Sequence, residues 1–539
     1  MRFSFFGNAA RAGVMCLAAG LAAMPSALRA DPASLPPTGQ APVAPGSASS
    51  SGPGQSAVDR ATRAEQPPAS AATGEALEGR SASSAGAGGP PAPDANLAEA
   101  ASRDAAPSPL VARGAYLARA GDCVACHTAK NGAPFAGGLP IGSPLGTIYS
   151  TNITPDRRTG IGTWSFDDFA RLMRHGEVKA GYVVYPAMPY PSYARLTDDD
   201  LHALYAYFMT AVPPVSQPNR QNGIAWPLSM RWPLKLWRAL FAPTPQPFAA
   251  PAGLSAEAVR GAYLVTGLGH CGSCHTPRSI TLQEKALTNQ DGPVYLSGGG
   301  AIDGWIAPSL RNEHGGGLAN WSTGELVQFL KTGKTVRTAA FGAMNDVIVD
   351  SMQYLNDADL HAIAVYLKSL GPYNDNAPTF AYDAHLAKTL YEGEASSPGA
   401  RLYLDRCAAC HSSNGKGYGK AFPALAGNPI LQTPNPTSAI HIVLSGGAQP
   451  GTHTAPSALT MAPYASLLDD TQVAEVVSFI QTSWGNHGGA ATAEQVARMR
   501  KNAEPVEPAG FPAPMQRELR RADPGQGSGS YSSGVAAGE

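Results

Sequence analysis

The chain has 539 residues, enough for several domains, and its 59 glycines and 48 prolines are too many for one compact fold. A formal net charge of −1 gives no overall attraction to nucleic acid or to an anionic membrane surface. Six of the seven cysteines fall in three Cys-x-x-Cys pairs, each followed at once by histidine, which displaces a disulfide framework as the first reading.

In chain order, Arg2 and Arg11 precede the apolar run Val14–Met24 and small residues up to Ala30. Residues 1–30 therefore read as a secretory signal, and the run is too short to span a bilayer. Residues 31–108 follow; 54 of these 78 are Ala, Pro, Gly or Ser, and none is Phe, Trp or Tyr. Such a stretch buries too little apolar surface to offset its ordering entropy, so a disordered tether is expected.

Three copies of one pattern come next, over 109–217, 251–373 and 395–486. Arg113-Gly114-Ala115-Tyr116-Leu117, Arg260-Gly261-Ala262-Tyr263-Leu264 and Gly399-Ala400-Arg401-Leu402-Tyr403 each predict a helix leading into a Cys pair. A last helix in each copy is predicted behind Thr197, Asn356 and Asp469. Asp200, Asp359 and Gln472 stand three residues after these caps, before an i, i+3, i+4, i+7 apolar stripe. Trp164-Ser165 and Trp321-Ser322, with Gly176 and Gly333 twelve residues beyond each Trp, bound a middle helix in the first two copies. The long loops carry little sign of strands. The fold class expected is all-α, in three small units whose thin cores want a large apolar cofactor.

Between the first two copies, 218–250 mixes Trp226, Trp232, Trp237 and Phe241 with Arg231, Lys235 and Arg238. It reads as an inter-domain strap packed between those copies, with a membrane interface or a partner groove as alternatives. Pro227 and Pro233 are expected to interrupt any long amphipathic helix. Residues 487–539 read as a tail that ends Gly/Ser-rich.

The motifs are Cys123-Val124-Ala125-Cys126-His127, Cys271-Gly272-Ser273-Cys274-His275 and Cys407-Ala408-Ala409-Cys410-His411. Each puts two thiols on one turn, spaced for thioethers to the vinyl groups of a haem, with the adjacent imidazole as proximal iron ligand. Zinc would want a fourth ligand, and a thioredoxin-like dithiol a βαβ setting. For the distal position, Met188 and Met461 share a Met-(Ala)-Pro-Tyr setting, and Met344 in Phe341-Gly342-Ala343-Met344 is favoured over Met352. No histidine recurs in all three copies as a rival ligand, and His202 and His361 fall on a solvated face. Pro423, Pro308 and Pro155 are candidate carbonyl partners of the three proximal imidazoles, or simple turn prolines.

Thr151-Asn152-Ile153-Thr154-Pro155-Asp156, Ala187-Met188-Pro189-Tyr190-Pro191-Ser192-Tyr193, Asp359-Leu360-His361-Ala362-Ile363-Ala364-Val365-Tyr366-Leu367 and Trp484-Gly485-Asn486 carry a resemblance. From about residue 109 to 501 the chain resembles the three-haem cytochrome c subunit of membrane-bound bacterial dehydrogenases of the alcohol, aldehyde and gluconate type. The resemblance implies three tandem class-I-like cytochrome c domains. It also implies electron transfer from a dehydrogenase catalytic subunit to quinone, a terminal oxidase or a soluble cytochrome. The expected location is the periplasm, peripheral on the outer face of the inner membrane. No catalytic residue set is present, so the chain is not expected to be an enzyme on its own. A multihaem peroxidase with one open iron and a free tethered electron shuttle are the alternatives.

Overall fold

A computed structural model describes residues 107–504. The expected signal segment, nearly all of the expected tether and the tail beyond residue 504 lie outside the described residues. Among the described residues, the helices of eight residues or more are α1 (Pro109–Ala120), α2 (Phe166–His175), α3 (Asp198–Thr210), α4 (Trp232–Phe241), α5 (Ala256–Thr266) and α6 (Thr323–Thr332). They continue with α7 (Asp357–Ser369), α8 (Ala384–Tyr391), α9 (Pro398–Arg406), α10 (Thr437–Ser445), α11 (Asp470–Thr482) and α12 (Ala493–Arg500). Strands are two to four residues long. The largest sheet joins Pro140–Ile141, Gly146–Tyr149 and Gly223–Ile224 antiparallel, with Ile141 opposite Ile148 and Gly146 opposite Ile224.

The helix boundaries follow their capping chemistry. Ser165 with Asp168 and Ser322 with Glu325 form capping boxes that open α2 and α6. Gly176 (φ 65°) and Gly333 (φ 70°) close the same helices in the left-handed region that glycine adopts without strain. The α3, α7 and α11 helices each run 13 residues behind Thr197, Asn356 and Asp469, whose side chains accept from the backbone N–H three residues on.

One crossing recurs. α1 packs on α3, α5 on α7 and α9 on α11, each through a glycine on the first helix. A Cβ at Gly114 would stand 1.9 Å from the Ala203 carbonyl oxygen, at Gly261 1.9 Å from that of Ala362, and at Gly399 2.3 Å from that of Glu475. Any larger residue would force the helix pair apart. Leu117, Leu204 and Leu264 belong to one continuous apolar core that runs through 117–370, with Leu201, Leu360 and Leu367. A separate core gathers Tyr403, Leu444, Val477 and Trp484.

No long amphipathic helix spans the strap: α4 begins only at Trp232, with Pro233 in its first turn, where its missing N–H has no intrahelical partner to lose. One expectation is corrected. The expected tail begins inside the folded body, because α12 lies on α11 and buries Val496 completely in the second core. α8, in the stretch left unassigned before residue 395, adds Leu390 to the same core.

Candidate functional site

Each Cys-x-x-Cys-His motif forms a single helical turn directly after a first helix: Cys123–Cys126 after α1, Gly272–His275 after α5 and Ala408–His411 after α9. The first thiol of each pair is half-buried against the adjoining core, and the second is exposed. No disulfide joins any of the six. Burial pushes Cys123, Cys271 and Cys407 up to about 12, and Cys126 to about 11. Raised thiols are poor thiolates, which disfavours a redox dithiol. Among the described residues no three His, Cys, Asp or Glu side chains converge closely enough to hold a metal ion.

The imidazoles share one arrangement. His127 Nδ1 lies 2.7 Å from the Thr151 carbonyl, His275 Nδ1 2.7 Å from that of Pro308, and His411 Nδ1 3.0 Å from that of Pro423. Burial holds all three rings below the usual histidine value, with those carbonyls acting in the opposite sense. A neutral ring that donates from Nδ1 to a carbonyl leaves the Nε2 lone pair for a metal. Two of the three carbonyl partners are the prolines named from the sequence. Pro155 is not the third; Gly162 packs against its carbonyl, and Thr151 takes the role.

An asparagine amide fastens each of these carbonyl loops to the end of a last helix or the chain just beyond it. Asn152 Nδ2 donates to the Val215 carbonyl at 2.7 Å while its Oδ1 accepts from Thr154 N–H. Asn312 Nδ2 donates to Leu367 and Lys368 carbonyls at 3.0 and 3.2 Å. Asn486 Nδ2 donates to Leu425 and Ile480 carbonyls at 3.0 and 2.9 Å. Among the acceptors, Lys368 and Ile480 lie in the last turn of a helix, where carbonyls lack a full set of intrahelical partners. Asn152 and Asn486 stand in stretches that carry the family resemblance, but Asn312 has no such signal.

Met188 and Met461 are half-buried against the two cores, and Met344 is half-buried in the turn Ala343–Asp346. Met352 is different: it is buried among Leu355, Leu360 and Ile363 as core packing. His202 and His361 are exposed and engaged elsewhere, His202 Nδ1 at 2.8 Å from the Asp198 carbonyl and His361 Nδ1 at 2.5 Å from Glu257 Oε1. The glycines of Ser297-Gly298-Gly299-Gly300 are spent on backbone bonds, Gly298 N–H to the His275 carbonyl and Gly299 N–H to that of Ala307.

Capped helices crossing through glycine, with thiol pairs and oriented imidazoles at their ends, define a c-type cytochrome. The family model described as Cytochrome c matches residues 111–211 and 396–484, and such domains carry c-type haem. The chain is 52% identical to the cytochrome c subunit of alcohol dehydrogenase (quinone) from Gluconacetobacter polyoxogenes over 408 residues, 75% of this chain and 87% of the relative. It is 54% identical to the gluconate 2-dehydrogenase cytochrome c subunit from Pantoea cypripedii, over 74% of this chain and 91% of the relative. The fructose dehydrogenase cytochrome subunit from Gluconobacter japonicus is 37% identical, over 75% and 86%. The chain belongs to this family of cytochrome c subunits of bacterial dehydrogenases.

Proposed function

We propose that the chain carries three covalent c-type haems, one in each of the domains 109–217, 251–373 and 395–486. In this reading it takes electrons from a dehydrogenase catalytic subunit and passes them to quinone, a terminal oxidase or a soluble cytochrome. The observation that carries it is the threefold recurrence of a thiol pair beside an imidazole held by a backbone carbonyl. Bound haem supplies a one-electron iron couple. Cys123 with Cys126, Cys271 with Cys274 and Cys407 with Cys410 hold it by thioethers. His127, His275 and His411 present Nε2 to the iron, and the Thr151, Pro308 and Pro423 carbonyls fix their ring planes. Met188, Met344 and Met461 would supply thioether sulfur to the iron, a ligand that raises its potential and leaves no position open for substrate.

No residue set offers hydride abstraction, so the catalytic step belongs to the partner subunit. The chain works in the periplasm, peripheral on the outer face of the inner membrane.

Intact mass of the mature exported protein tests the cofactor count: three haem additions are expected, and two or fewer would remove one domain from the reading. The isolated chain should stay oxidised with alcohols, aldehydes or sugar acids until its catalytic partner is added. Carbon monoxide binding to the reduced protein would expose an open iron and favour a multihaem enzyme instead.

A further inference from the structure

The outward face of α4 and the loop before it are, we propose, the seat on which this chain lies on an anionic lipid bilayer. The inference rests on the reading of the chain as a periplasmic subunit that works at a membrane. α4 has two unlike faces. Its inner face is docked: Trp237 Nε1 donates to the Thr281 carbonyl at 2.8 Å, and its ring meets Tyr190 edge-on at 6.5 Å. Arg238 Nη1 stands 3.3 Å from His175 Nδ1.

The outer face is apolar and uncovered. Trp232 is 66% exposed, Leu236 57% and Leu240 64%, four residues apart along one side of the helix. Trp226 (79%) and Leu228 (53%) extend the patch into the preceding loop. Five large apolar side chains gathered this way are more than the scattered exposure of an ordinary surface.

Three features point to lipid. First, no Asp or Glu occurs from residue 201 through 256, and Lys235 stands exposed on α4 beside Leu236, while Arg231 at the start of the helix stacks on Tyr182 and Tyr185. The chain carries a net charge of −1, yet this stretch has no acidic side chain to repel anionic headgroups and presents Lys235 to them. Second, the two most exposed side chains of the patch are tryptophans, whose amphipathic rings settle at the membrane–water boundary. Third, among the described residues no helix is long and apolar enough to cross a membrane. A ten-residue helix about 15 Å long, already fixed by its inner face, suits a flat interfacial seat instead.

The test uses the full-length haem-loaded protein and flotation with vesicles. Wild type should float with phosphatidylethanolamine:phosphatidylglycerol (3:1) vesicles and much less with phosphatidylcholine alone. The combined variant Trp226→Ser, Trp232→Ser, Leu236→Gln and Leu240→Gln should float about tenfold less or weaker still. Its haem absorption and melting temperature should match wild type, since each altered side chain points outward. Hydroxyl-radical footprinting of wild type gives a second readout: Trp226 and Trp232 should become protected on anionic vesicles.

Equal flotation of the variant, equal flotation on both lipid compositions, or unprotected tryptophans would overturn the proposal. So would failure of wild type to float while these same residues prove necessary for binding the purified catalytic subunit; the face would then be a protein interface. None of these outcomes touches the electron-transfer reading, which fails separately through the haem count.

Discussion

The first two modules and the third use the same sequence signal for different ends. The third residue of the last helix is Asp200, Asp359 or Gln472. In the third module Gln472 folds back on its own cap: Gln472 N–H donates to Asp469 Oδ1 at 2.8 Å and Asp469 N–H to Gln472 Oε1 at 3.0 Å. In the first two the carboxylate turns away. Asp200 takes Arg113 from its own module at 2.8 Å and Tyr263 Oη from the next at 2.6 Å. Asp359 takes Arg260 at 2.8 Å and Tyr116 Oη at 2.7 Å, so each module lends a tyrosine to the other's aspartate. The two modules are interlocked by this exchange and share one core. The third keeps its own core and meets the second through polar contacts, Ile306 N–H to Ser438 Oγ, Asn345 Nδ2 to the Ala448 carbonyl, and a Trp305–His441 stack at 4.2 Å. A capping position that looks equivalent by spacing is a local cap in one place and an inter-module clasp in the others.

The helix crossings break the comparison most sharply. Gly261→Ala drives a Cβ to 1.9 Å of the Ala362 carbonyl, and Gly399→Ala to 2.3 Å of that of Glu475. Each should cost about 3 kcal/mol, the upper range for overpacking. Calorimetry should show Gly261→Ala lowering the melting of modules one and two together, because they share a core. Gly399→Ala should lower only the transition of module three. A single transition that shifts equally in both variants would refute the division.

Next comes the clasp. Tyr116→Phe and Tyr263→Phe each remove one hydroxyl donor from a buried carboxylate and leave its arginine in place. A loss of about 1–2 kcal/mol each is expected in the transition of modules one and two, with the third unmoved. An equal loss in the third transition would mean that the clasp holds the whole chain rather than the pair.

What was legible in the sequence was local. The thiol and imidazole spacing, the three copies and the caps Thr197, Asn356 and Asp469 all lie within a few residues of one another. The clasp was not, since Tyr116 and Asp359 are 243 residues apart and an aspartate after a cap reads as part of that cap. The Thr151 carbonyl was missed for another reason: a backbone acceptor carries no residue identity, and proline drew attention to the wrong position. The start of α4 was legible too, because a proline breaks a helix interior but fits its first turn.

Acid separates the modules more gently. Burial would raise Asp359, but the hydrogen bonds from Arg260 and Tyr116, with the Arg260 charge, outweigh it and hold its pKa below the ordinary value. A depressed carboxylate contributes stability that is present above the unfolded value, about 4, and is lost as pH falls through the folded one. The transition of modules one and two should therefore drop faster than that of module three below about pH 4. Parallel decline of the two transitions in a pH series of melts would remove Asp359 as the cause.

The smallest effect tests the other side of the same position. Gln472→Ala removes only the exposed half of a capping box, since Asp469 Oδ1 still accepts from the backbone N–H of residue 472. The group it leaves behind, Asp469 N–H, is at the surface and finds water. A loss of about 0.5 kcal/mol in the third transition is expected. The same truncation at Asp359 strips the partner from Tyr116 Oη and from the Arg260 guanidinium at a buried junction. That should cost about 2 kcal/mol or more, and in the shared transition. Chemical denaturation of both variants measures the contrast. Equal losses would mean that the clasp contributes no more than an ordinary cap, and the two modules would then be held together by their shared apolar core alone.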